Sequence, residues 1–168
     1  MSNEDSRKLQ VAIVTVSDRS YLGLREDSSG PELAYFIHEK GQLVIVRAVV
    51  PDEEEEIITV LLQLCKQGVP LILTTGGTGL TPRDVTPEAT RKVIEKEVPG
   101  LCEEMRRNGL AHTRYSLLSR SYAGTRGKSL IINLPGSPKG AVESLESIWD
   151  VLPHAVGLLA QEDVSHTY

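Results

Sequence analysis

The sequence predicts an α/β domain of three layers, α/β/α, with a mostly parallel central sheet and a small β-hairpin subregion. Three observations predict it. Short runs of Val, Ile and Leu alternate with segments of helical periodicity. The runs lack in–out alternation, as strands buried on both faces do. Their order, strand–helix–strand–helix–strand, is that of βαβ units with right-handed crossovers. A chain of 168 residues holds one such domain with a proper core and is too short for two ordinary ones.

After a polar start, expected to be flexible over residues 1–10, the first strand is 11–16, stopped by Ser17-Asp18-Arg19. Residues 31–40 read as a helix with Leu33, Phe36 and Ile37 on one face. The second strand, 43–50, stops at Pro51-Asp52, and helix 53–67 follows with Ile57, Val60, Leu61, Leu64 and Cys65 at helical spacing. The third strand, 71–75, runs into glycines. Beyond it, 87–97 and 100–112 read as helices separated by Pro99-Gly100. Runs 118–123 and 129–134 around Gly124-Thr125-Arg126-Gly127 read as a hairpin. Residues 137–150 form an amphipathic helix through Val142, Leu145, Ile148 and Trp149, and 152–160 extend its stripe past a kink at Pro153. There is no internal repeat and no linker, so 11–160 is taken as one domain and 161–168 as a C-terminal tail.

Composition narrows the partners. Two-fifths of the chain is apolar (40%) and about a quarter charged (24%), a soluble globular balance. A net charge of −5 excludes nucleic acid as a partner, because phosphate-backbone binding needs a surplus of Lys and Arg. A small anion needs only a local site. No apolar run reaches the ~20 residues of a membrane span, and the start lacks a signal-peptide core. A cytoplasmic setting is expected. Cys65 and Cys102 sit in apolar helical contexts without ligand spacing and are read as core thiols. His38, His112, His154 and His166 show no zinc-site pattern.

The motif with chemical content is Gly76-Gly77-Thr78-Gly79 at the end of the third strand, with Thr75 and Thr78 adding hydroxyls. Ligands bind at the carboxyl ends of strands in open parallel sheets, and glycines let backbone amides approach a phosphate. The plainer reading is a tight turn; three glycines in four residues favour an anion site. It is neither a GxGxxG fingerprint nor a Walker A loop, since Tyr122 stands where the first glycine before Gly127-Lys128-Ser129 is required. Three helix starts, Gly30-Pro31, Thr86-Pro87 and Ser137-Pro138, follow predicted strands. Their positive ends are expected to converge on one anion. Asp52 and Asp84 stand at strand ends, where one Mg²⁺ and its waters would be shared with substrate phosphates. The plainer readings are a dipole partner before Glu53 and an Asx turn, respectively. Arg83 and Lys139 are candidate phosphate cations. The run 53–56 reads as a solvated first turn, and no Ser, Cys or His nucleophile constellation is present.

The strings TTGGTGLTPRDVTPEAT (74–90), SRSYAGTRGKSLIINLPGSPKG (119–140), TVSDR (15–19) and DSSGP (27–31) resemble the MogA/MoaB family, which includes the G domains of gephyrin. The resemblance spans roughly 11–160. It implies an ATP- and Mg²⁺-dependent adenylylation of molybdopterin, giving adenylyl-molybdopterin and pyrophosphate. It matches the family's essential acids to Asp52 and Asp84, as catalytic and Mg²⁺-holding residues. It extends the substrate and phosphate site to Ser17, Asp18, Ser29, Gly30, Thr75, Gly76, Gly77, Thr78, Gly79, Arg83, Asn133, Pro135, Gly136, Ser137, Pro138 and Lys139. A homotrimer is implied, with hexamers on the MoaB side, as is a molybdate-inserting MoeA protein downstream. Two other readings remain open on the residues: a non-catalytic molybdopterin-binding or scaffolding protein, and an enzyme acting on an unrelated phosphorylated ligand.

Overall fold

The computed structural model describes residues 8–161; of the two predicted tails, only residues 8–10 and 161 fall within that range, and His166 lies outside it. Strand β1 (Gln10–Val16) shows how the layers arise. Its successive side chains point to opposite faces. Val11 and Ile13 join Leu71, Leu73, Leu130 and Ile132 on one side, and Ala12, Val14 and Val16 join Ile72 and Ile131 on the other. Both sets are apolar, so helices must cover both faces. On the first face lie α2 (Ser29–Glu39), α5 (Pro99–Gly109), α6 (Pro138–Ile148) and α7 (Leu152–Ala160). On the second lie α3 (Glu54–Lys66) and α4 (Thr86–Val93).

The sheet has six strands in the order β2-β1-β3-β6-β5-β4, with β2 (Leu43–Val50), β1, β3 (Leu71–Thr75) and β6 (Ser129–Leu134) parallel. The antiparallel strands β5 (Ala123–Arg126) and β4 (Lys96–Glu97) finish one edge. The three-layer α/β/α class and the hairpin are thus present. Cys102 is buried in the core, and desolvation pushes its thiol up to about 11; Cys65 is half-buried and shifted upward by the same cause.

Several boundaries differ from expectation, each for a local reason. A four-residue helix, α1 (Asp18–Tyr21), follows β1 where a stop was read, capped by the Ser17 hydroxyl accepting from Ser20 N. Helix α2 opens at Ser29, ahead of Pro31, because the Asp27 carboxylate accepts the Gly30 N–H at 3.0 Å. Strand β2 is an edge strand and only half-buried, with Ile45 41% exposed. The helix expected to reach Glu97 ends at Val93. There Ile94 turns extended, Arg126 donates to the Val93 carbonyl at 2.8 Å, and Lys96–Glu97 pairs with β5. The first hairpin arm is not 118–123. Residues Arg114–Leu118 form a 3₁₀ turn, Arg120 N donates to Thr78 O, and the strand begins at Ala123, with the hairpin turn at Gly127 and Lys128. Finally, Pro153 sits in the first turn of a separate helix, α7, after a 3₁₀ turn over Trp149–Val151, and does not kink a continuous one.

Candidate active site

The chain leaves β1 toward β2 on one side and comes back to β3 on the other. Where strand order reverses in this way, the loops at the carboxyl ends part and a crevice opens between them. Here it is a cavity of about 400 Å³, within the range of small-molecule sites. Its walls come from residues 15–17 at the end of β1 and Ser20 after it, 25–29 at the start of α2, Asp52 beyond β2, 75–77 at the end of β3 and 136–138 at the start of α6.

The floor is the glycine turn. Gly76 (φ +103°) and Gly77 (φ +66°) occupy backbone conformations that L side chains rarely adopt. A Cβ at Gly76 would stand 2.3 Å from the Val16 carbonyl oxygen, and one at Gly77 would stand 2.3 Å from Thr86 Oγ1 and 3.4 Å from Asp52 Oδ1. No other residue type brings this backbone so close to Asp52. Gly76 N donates to Leu134 O at 3.2 Å, while the Gly77 amide has no acceptor among the described residues.

Two eleven-residue helices begin at the cavity wall. Ser137 caps α6 through Oγ, accepting from Gly140 N at 3.2 Å. At α2 the capping oxygen belongs to Asp27, which also accepts from the Thr15 hydroxyl at 2.9 Å. The third expected helix start does not reach the cavity. Thr86 is fully buried, follows the N-cap residue Val85, and donates its hydroxyl to Gly76 O at 2.9 Å, so it braces the turn from behind.

Asp18 and Asp52 cap each other: Asp18 N donates to Asp52 Oδ2 at 2.7 Å and Asp52 N to Asp18 Oδ1 at 2.9 Å. Burial raises the Asp52 pKa, and the charges of Asp18 and Asp84 add to that, against the Asp18 amide and Arg83, which lower it. Asp84 accepts from Thr81 N and Thr81 Oγ1 through Oδ2, reaching back three residues where an Asx turn would reach forward two, while its own amide donates to Thr81 O at 3.0 Å; the same Oδ2 is 3.0 Å from where a Gly79 Cβ would be. Arg83 donates to both Asp18 oxygens and to Glu53 Oε1 at 2.8 Å, and so ties the Asp84 loop to the Asp52 loop. Asp52 Oδ1 and Asp84 Oδ1 accept no hydrogen bond from another described residue. Among the described residues no cluster of three or more His, Cys, Asp or Glu side chains could hold a metal. Mg²⁺ needs fewer: one or two carboxylates, waters and substrate phosphates. Two carboxylates with open oxygens, in a locally acidic setting that opposes the ionisation of one of them, fit such an ion.

The cavity therefore gathers Ser17, Ser29, Asp52, Thr75, Gly76, Gly77, Gly136, Ser137 and Pro138 of the candidate residues. Asp18, Arg83 and Asp84 stand behind its Asp52 wall, and Gly30 lies under Asp27. Thr78 and Gly79 continue the turn away from the cavity. Asn133 is fully buried, donating to Thr74 Oγ1 and Thr90 Oγ1, and the Pro135 carbonyl accepts from the Thr75 hydroxyl. Lys139 pairs with Glu143 at 3.7 Å along α6 and does not line the cavity.

Sequence reasoning passed over Arg25, Glu26, Asp27 and Ser28 on the wall. Asp27, three residues before the first orphan amide of α2, carried an N-cap signature; Arg25 carried no local signal.

The family model described as "Probable molybdopterin binding domain" matches residues 12–154. A protein of Helicobacter pylori named molybdopterin adenylyltransferase is 40% identical over 154 residues, spanning 90% of this chain and 88% of that one. The Drosophila melanogaster molybdenum cofactor synthesis protein cinnamon is 42% identical over 155 residues, 91% of this chain; the chain spans only 26% of that longer relative. Among solved structures, the molybdopterin biosynthesis enzyme MoaB of Thermus thermophilus superposes with a TM-score of 0.86 at 49% identity, covering 92% of this chain and 98% of that one.

Proposed function

This chain belongs to the molybdopterin-binding-domain family, and on that premise we propose that it serves molybdenum cofactor biosynthesis by adenylylating molybdopterin. The observation that carries the reading is the cavity at the β1/β3 switch point, which Gly77, two helix N-termini and Asp52 line together. A phosphate monoester is largely dianionic at neutral pH, its second pKa being about 6. Its oxygen attacks the α-phosphorus of ATP without a general base; the new P–O–P bond forms as the bond to pyrophosphate breaks. The cavity wall holds serines but no Cys, and no His to activate them, which agrees with that chemistry.

The chain's contribution is placement and field. The Gly77 amide and the amino ends of α2 and α6 receive phosphate oxygens, and Arg25 is the cation of the wall. Asp52 and Asp84 would hold an Mg²⁺, which would neutralise phosphate charge. Excess carboxylate at the wall, from Glu26, Asp27 and Asp52, makes a metal-free triphosphate a poor ligand. The protein is taken to work as a homotrimer, or on the MoaB pattern a hexamer, in the cytoplasm, passing its product to a MoeA-type partner.

The test is incubation with molybdopterin, ATP and Mg²⁺, with mass detection of adenylyl-molybdopterin and assay of pyrophosphate. Both products are expected in equal amounts. Molybdopterin binding without pyrophosphate would instead identify a non-catalytic carrier.

A further inference from the structure

Arg120 lies outside the cavity, in the segment between the 3₁₀ turn Arg114–Leu118 and β5. Its donors all go to one place. The backbone N–H donates to Thr78 O at 3.0 Å, Nε to Gly79 O at 2.7 Å and Nη2 to Asp84 O at 2.6 Å, while Nη1 pairs with Glu88. These four groups bracket the β3–α4 loop from its beginning to the first turn of α4. Between the brackets, Leu80, Thr81, Pro82 and Arg83 are exposed. A loop of this kind, with little buried apolar surface of its own, relies on polar ties for its shape. Arg83 fastens its far side to Asp18 and Glu53. Thr86 closes the base of the loop on Gly76 O and Gly77 O, and Arg120 ties Gly79 to Asp84 from outside it; a planar fork suits two fixed carbonyls better than a single ammonium does.

We propose that Arg120 is a positioning residue for the metal-holding carboxylate Asp84, fixing the loop so that Asp84 stays against Gly79 and within electrostatic reach of Asp52. It touches no substrate. The proposal rests on the adenylyl-transfer reading for its purpose, and its geometry is independent of that reading. Supporting groups of this sort typically change metal affinity by about 10–100-fold when lost.

The test compares wild type with Arg120→Met, Arg120→Lys and Glu88→Gln. Mn²⁺ binding with ATP present is followed by electron paramagnetic resonance, alongside pyrophosphate release, molybdopterin affinity and thermal melting. Arg120→Met is expected to weaken Mn²⁺ by about tenfold or more and raise the Mg²⁺ needed for half-maximal rate, with molybdopterin affinity unchanged. Arg120→Lys is expected to recover melting temperature but not Mn²⁺ affinity; Glu88→Gln, which removes only the exposed ion pair, should leave both near wild type. A merely structural arginine predicts lower melting with wild-type Mn²⁺ affinity, and that result overturns the proposal. If Arg120→Met does not fold, wild-type Mn²⁺ affinity in Arg120→Lys overturns it equally. So does a wild type that binds no Mn²⁺ with ATP. A wild type that releases no pyrophosphate, with Mn²⁺ affinity still falling in the variants, removes the adenylyl-transfer reading and leaves the positioning role standing.

Discussion

Asp52 carries a charge in a place that resists it. Burial, then the neighbouring Asp18 and Asp84 charges, raise its pKa above the unfolded value of about 3.9. Below that unfolded value both states are protonated and no penalty exists. As pH rises through the elevated folded value, the native state must ionise at a cost, so Asp52 detracts from stability at neutral pH. Asp52→Asn keeps an oxygen to accept from Asp18 N and loses the charge. Its stability advantage over wild type should therefore grow from about pH 4 upward and then level off, as read by urea denaturation across pH without metal. An offset independent of pH would contradict the assignment. Mg²⁺ selects the ionised form, so it should weaken as pH falls through the same window. Asp84→Asn keeps an oxygen to accept from Thr81 and removes the charge proposed to hold Mg²⁺. A fall in turnover of roughly a hundredfold or more is expected, as for loss of one important electrostatic group, with melting little changed; unaltered pyrophosphate release would remove Asp84 from the mechanism. Asp52 and Asp84 were legible in the sequence as acids at strand ends. Their link through Arg83 was not, because it joins residues 65 and 30 positions apart.

Helices and strands were legible to the degree that local preference and tertiary demand agreed. In β1 and β3 every Val, Ile, Leu and Ala had a helix layer to face, so the runs marked the strands directly. Residues 94–97 illustrate the opposite case. Ile-Glu-Lys-Glu suits a helix by propensity, but pairing with β5 and the Arg126 bond to the Val93 carbonyl end α4 four residues early. Ser119 to Tyr122 looked like a strand and instead supports the β3–α4 loop through Arg120. Helix α6 joins element stability to the site, because its cap Ser137 also lines the cavity. Ser137→Ala removes the oxygen that accepts from Gly140 N and should cost about 1 kcal/mol of stability, measured as a lower urea midpoint. The same change loosens the helix end offered to phosphate, so the apparent KM for ATP or molybdopterin should rise. Ser137→Thr should recover most of the stability. A variant with the wild-type midpoint would show that the Ser137 bond adds nothing to α6.

At the scale of the molecule, the parallel order β2-β1-β3-β6 places the candidate loops at one end of the sheet, the antiparallel β5 starts there and brings the Arg120 segment to the same end, and the reversal at β1/β3 opens the cavity there. The sequence signalled that end through its glycines and prolines and, at Asp27, through a helix-start signature, whereas Arg25 on the same wall had no pattern to mark it. Apolar exposure was equally hidden. Tyr21, Leu22 and Leu24 next to α1, Tyr35 on α2, Ile45 on the edge strand β2, and Tyr115, Leu117 and Leu118 around the 3₁₀ turn are open to water in the single chain, Tyr115 to 80%. Scattered singles are ordinary on a monomer, but runs of neighbours are what subunit contacts cover. The edge strand β2 carries a register shift at Ile45, between Val44 and Val46, and such a bulge protects an open edge, so the case for a cover rests on the exposed neighbours at α1 and at the 3₁₀ turn. A homotrimer meets that demand by closed cyclic symmetry. Sedimentation velocity at micromolar concentration should give a species of three times the 18.4 kDa chain mass, stable to dilution. Six times that mass would indicate the hexameric arrangement, and a persistent single-chain species would remove the trimer and leave these side chains without a cover.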